Sequence, residues 1–174
     1  GQWNSDFSHA NIMKRLTVGD SKFWHAGGLG GYGGIVAVPV EDYKDTRTGR
    51  IEFWDFNKDA LNPQHLPIDL IRDKASAGAA TLNRLDDQRY ILGIYDSGAI
   101  DFYISKSANI NDGFDKDVWT RFTNDTVTYP AKARVDFGGS SIQIVRQCDS
   151  QWYLVDFNNT GKQPPIMNGE DRIA

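Results

Sequence analysis

His25 and the acid pair Glu41-Asp42 are the residues of this chain best placed to do chemistry. His25 precedes a glycine-rich run, Gly27–Gly34 (GGLGGYGG), and Glu41-Asp42 closes the apolar stretch that follows it. A histidine beside a carboxylate can act as a base near neutral pH or help hold a divalent cation. Tyr32, inside the glycine run, adds an aromatic face on which a ligand can stack. Asp96 and Asp149 follow comparable apolar runs further along, so Glu41-Asp42, Asp96 and Asp149 form a recurring acidic set suited to a cation or a polar ligand. The plainer duties of the same residues are a hydrogen-bonded histidine and three turn-forming acids.

Other constellations carry less. Asn109–Asp117 (NINDGFDKD) alternates oxygen-bearing side chains as a calcium loop does, but Gly113 stands one place early and no Glu follows at the twelfth position, so it reads as a solvated turn. His9 and His65 read as loop residues with no partner at metal-ligand spacing. The glycine run has no following helix whose amides would cradle a phosphate. Gly-x-Ser-x-Gly and Cys-x-x-Cys are absent. No cofactor is specified beyond a divalent cation.

The composition bounds the molecule that must position these groups. At 174 residues the chain is one domain, 1–174, with room for a sizeable core. Seventeen Gly with five Trp, seven Tyr and nine Phe favour strands and turns. A net charge of −4 gives no electrostatic reason to expect nucleic acid or an anionic membrane surface, and no apolar run approaches the ~18 residues of a membrane span. The lone Cys148 forms no internal disulfide and reads as a small buried hydrophobe beside the strand Ile142–Gln147. The chain begins at Gly1, as a processed product would. Its two glycosylation sequons, at Asn124 and Asn158, lean towards an extracellular or periplasmic setting, although eleven Asn give about that number by chance.

The strands repeat. In Ala77–Ser105 three short strands follow one another, with Asp86-Asp87 and Asp96-Ser97-Gly98 as tight turns, the second a strong hairpin signal. The same order precedes and follows it. Ala26, Ala77 and Ala131 begin small-residue strands, and Ile51, Ile100 and Trp152 begin aromatic ones. Asn11–Val18, Ile68–Arg72 and Val118–Thr123 read as polar outer strands. Trp54, Trp119 and Trp152 fall in strands of successive units and read as core. The spacing thus predicts an all-β chain of three four-stranded units of ~50 residues, 11–67, 68–117 and 118–174, which is the period of a β-propeller blade. Small-residue strands suit the crowded centre of a propeller, and His25 would then face the channel mouth. A β-trefoil is the rival, since three units close it alone.

RIEFWDF (Arg50–Phe56) and AIDFYIS (Ala99–Ser105) resemble inner strands of propellers of the WD40 and Kelch kind, and HAGG…GGIVAVPVE…RIEFWDF resembles a loosely characterised group of bacterial propeller-like proteins. The resemblance spans Phe23 to about Phe157 and brings no catalytic residues. It implies a binding module, completed by further blades of a parent protein or by a second copy of the chain. The alternatives are a hydrolase around His25 and a structural domain of a larger secreted or surface protein.

Overall fold

The computed structural model describes residues 2–3, 10–12, 14–42, 44, 47–123, 141–148 and 150–157. It is all-β, with several antiparallel sheets and no closed barrel. Among the described residues the single helical turn is a 3-10 turn, Ile110–Asp112. A short ladder joins Gln2–Trp3 (β1) to Ala10–Asn11 (β2). In the first large sheet His25–Ala26 (β3) and Gly30–Tyr32 (β4) both pair with Ile35–Glu41 (β5), followed by Thr48–Asp55 (β6) and Gln64–Asp73 (β7). Ala79–Arg84 (β8), Tyr90–Asp96 (β9), Ala99–Ile104 (β10) and Thr120–Thr123 (β11) make the second, paired in chain order. Ser141–Arg146 (β12) and Trp152–Phe157 (β13) form the third. Ile68–Arg72, at the head of the second sequence unit, lies within β7 and pairs with β6 of the first sheet.

Turn chemistry fixes the registers. Between β9 and β10, Ser97 (φ 46) and Gly98 (φ 89) both take positive φ, the two-residue hairpin geometry whose twist matches that of the strands. Gly33 (φ 58) and Gly34 (φ 78) do the same between β4 and β5.

The sheets stack face to face, with the second in the middle. Strand alternation sends Leu92, Ile94 and Tyr103 towards the first sheet, where they meet Ile35, Ile51 and Phe53. Ile100 and Phe102 point the other way, onto Ile142 and Ile144 of the third. Every residue of β10 is therefore buried. Thr81 and Asn83 complete the second junction: Ile144 N–H donates to Thr81 Oγ1 (2.8 Å), and Asn83 Nδ2 donates to Ile144 O (2.9 Å).

At the first junction the glycine run brings backbone onto backbone. Gly28 N donates to Gly78 O (3.1 Å), and Ala80 N donates back to Gly28 O (2.7 Å). A Cβ on Gly27 would lie 2.1 Å from Gly78 O, so no larger residue fits that approach.

Several local expectations change. Residues 14–18 are not a strand. Val18 and Phe23 instead pack on the outward face of the first sheet against Val38 and Val40. Asp20 holds that segment in place, accepting from the amides of Lys22 (2.8 Å) and Phe23 (2.9 Å) and from Arg50 Nη1 (2.7 Å). Apolar alternation in this segment serves a strap, not a hydrogen-bonded strand. His65 belongs to β7, not to a loop. Cys148 lies past the end of β12 and is exposed, because the strand face that would bury it stops at Arg146. Trp119 (61% exposed) and Trp152 (38%) are not core: Trp119 precedes β11 and Trp152 is the first residue of β13, both at strand ends. The small-residue strand expected from Ala131 lies outside the described residues.

Candidate functional site

His25 and Glu41 face each other in register across β3 and β5, with His25 Nδ1 3.4 Å from Glu41 Oε2. The other carboxylate oxygen, Oε1, accepts from Ala77 N–H (2.8 Å) at the start of the second sheet. Glu41 thus ties two sheets together from a nearly buried position, while the His25 side chain is about half exposed. The second sheet repeats the device with different residues. Asp96, at the end of β9, accepts from Ser76 N–H (3.2 Å) and Ser76 Oγ–H (2.9 Å). Burial pushes the Asp96 carboxyl up, but the two Ser76 bonds and Arg121 outweigh it and hold the group below its ordinary value.

The remaining expected positions stay apart from these. Asp42 accepts from Lys44 N–H (3.0 Å) in a turn. Tyr32 is exposed at the end of β4. Asp149 lies outside the described residues. The four carboxylate oxygens of Glu41 and Asp96 all face protein donors, so these two acids act as latches between strands. Among the described residues no three His, Cys, Asp or Glu side chains stand together as a metal site would need.

A different constellation emerges where the first two sheets diverge. Between β7 on one side and β10, β11 and the 106–118 loop on the other lies a cleft of about 950 Å³. Ile68, Leu70 and Val118 line it, and Phe53 and Phe114, stacked with ring centroids 5.2 Å apart, prop its base. Its polar end holds Arg72 and Asp101, only 3% and 1% exposed. Arg72 Nη2 donates to Asp101 Oδ2, and Nη1 donates to the carbonyl of Ser76. Arg121, half exposed, bridges Asp101 Oδ2 (3.1 Å) through Nη1 and Asp96 Oδ2 (3.1 Å) through Nη2.

Two arginines and two aspartates therefore neutralise one another across the junction. Burial nevertheless pushes the Asp101 carboxyl above its ordinary value, against the pull of Arg72 and Arg121. The adjoining Tyr103 hydroxyl is raised for the same first cause. The cluster is also incompletely satisfied. Arg72 Nε–H and Asp101 Oδ1 have no hydrogen-bond partner; Arg121 Nη1 stands 3.1 Å from that oxygen as well, but out of line for a bond.

Sequence reasoning passed over this cluster because its ion-paired partners lie 20 to 29 residues apart. One signal was available. Asp101 sits in AIDFYIS on the same strand face as Tyr103, and an acid on a buried face requires a cation opposite it. No family model, no curated protein and no solved structure matches the chain.

Proposed function

We propose that this chain is a non-enzymatic binding module of the β-propeller type, which holds its ligand in the cleft between the outer strands of its first two sheets. The cleft carries the reading. Its size falls within the roughly 300–1,000 Å³ of small-molecule sites, and it joins apolar walls to a few convergent polar groups, the composition such sites share.

Two features support the propeller assignment: antiparallel sheets of five and four strands stacked face to face, and a strand rich in Gly or Ala at one edge of both. Val145 and Phe157, on the face of the third sheet away from the second, are exposed apolar side chains, which suits a further blade from a parent protein or from a second copy of the chain. A hydrolytic centre at His25 is the weaker reading, because the second sheet makes the equivalent latch with Ser76 and Asp96 and no histidine.

A small-molecule fragment screen read by ¹H–¹⁵N NMR tests the assignment. Hits should shift resonances of residues 68–72, 101–106 and 118–121, and Val118→Trp, a rim change that fills the cleft, should abolish those shifts. Hits clustering instead around His25 and Tyr32, unaffected by Val118→Trp, would overturn it.

A further inference from the structure

Within the binding reading, we infer that the ligand of the cleft is a neutral, polyhydroxylated molecule, an oligosaccharide, one of whose hydroxyls is held between Arg72 Nε–H and Asp101 Oδ1. These two atoms are the unsatisfied polar groups of the cluster, one a donor and one an acceptor, on side chains that face the same cleft. Leaving such groups unpaired in a buried setting is costly. What satisfies both at once must accept from a guanidinium and donate to a carboxylate, and a hydroxyl does so with a single oxygen.

The charged alternatives fail on one side each. A carboxylate accepts from Arg72 but has no proton for Asp101, and it would meet the Asp101 carboxylate itself. An ammonium group donates to Asp101 but cannot accept from Arg72. The rest of the cleft suits the rest of a sugar. Ile68, Leu70 and Val118 offer apolar surface to the C–H faces of the rings, while Lys106, Lys116 and Asp117 are polar lining residues for further hydroxyls. The volume of about 950 Å³ admits several rings. Arg121, with its side chain 48% exposed, bridges Asp101 to Asp96 and is the member that swings aside to admit the hydroxyl.

The test is an NMR titration of the full chain with maltotriose, cellotriose and triacetylchitotriose, against tricarballylate and spermidine as hydroxyl-free anionic and cationic probes, each to roughly 10 mM. The Arg72 Nε–Hε resonance reports directly on the proposed contact. At least one trisaccharide should move that resonance together with residues 68–72 and 118–121. Val118→Trp, at an exposed rim position, should abolish the effect, because the indole fills the space the rings would occupy. Arg72→Lys, which keeps the charge but removes Nε, should weaken trisaccharide binding by about tenfold or more, the cost of losing one hydrogen-bonded contact, in any sample whose spectrum shows it folded; Val118→Trp keeps the test open if it is not. Cleft shifts produced by tricarballylate or spermidine and by no saccharide would leave the cleft a ligand site and overturn the hydroxyl assignment. No cleft shift with any probe would overturn both. Saccharide shifts that survive Val118→Trp would place the sugar elsewhere and overturn the inference alone.

Discussion

The two ends of the junction between the first and second sheets are built on opposite principles. At the inner end, glycines remove side chains until the backbones of the 27–30 segment and β8 share hydrogen bonds. At the outer end, Phe53, Tyr103 and Phe114 and the Arg72–Asp101 pair hold β7 and β10 apart, and the cleft opens between them. The sheets behave as a wedge closed along one edge. A closed edge gives the cleft fixed walls, so a ligand at the outer end need not pay to align them.

The largest effect should come from breaking the outer cluster. Asp101→Ala strands a buried Arg72 guanidinium and should cost about 3–5 kcal/mol in urea denaturation. Replacing both partners, Arg72→Met with Asp101→Leu, should recover most of that loss, because neither charge is then left alone. Equal losses in the single and double variants would show that the pair has no special role in propping the junction.

The inner end comes next. Gly27→Ala places a Cβ 2.1 Å from Gly78 O and should cost about 1–3 kcal/mol through forced separation of the backbones. Gly31→Ala, by contrast, meets Ile35 O at 2.7 Å within its own hairpin, so it should disturb the first sheet without changing the second. Amide shifts in β8 that follow Gly27→Ala but not Gly31→Ala would distinguish a junction effect from a local one.

A smaller effect is expected at the two latches. Ser76→Ala removes one donor to Asp96 and should cost about 1 kcal/mol. His25→Ala should cost less, since its contact is longer at 3.4 Å and half exposed. A loss at His25 greater than that at Ser76 would give the histidine a duty beyond the latch.

The smallest effect concerns the strap over the first sheet. Hydrogen bonds from the Phe23 and Lys22 amides, followed by Arg50, lower the Asp20 carboxyl to about 2. Because its folded value is depressed, the stabilisation is present above the unfolded value near 4 and lost as pH falls through about 2. Phe23 should therefore gain exchange and ring mobility between pH 4 and pH 2, and Asp20→Asn should loosen it already at neutral pH. A Phe23 signal unchanged over that range would separate the strap from Asp20.

The parts of this picture that sequence made legible are those governed by short-range rules. Ser97-Gly98 demanded a two-residue hairpin, and the glycines after His25 demanded a close backbone approach; both are present. Residues 14–18 misled because apolar alternation marks a surface that is buried without saying whether a ladder or a strap buries it. Trp119 and Trp152 misled because both stand at strand ends, which the sequence pattern does not mark off from strand interiors. The cleft was illegible because β7 and β10 meet through stacking, a relation that no local pattern encodes, although Asp101 between Ile100 and Phe102 asked for a partner. That partner, Arg72, comes from the other sheet.

Amide hydrogen exchange on the folded chain tests the closed-edge, open-edge account most directly. Gly28 and Ala80, whose amides cross the inner end of the junction, should exchange at the slowest rates in the molecule, set by global unfolding, while Ile71 and Val118 at the cleft exchange by local opening. Gly28 and Ala80 exchanging as fast as Ile71 and Val118 would contradict it, because the two sheets would then not be joined along their inner edge.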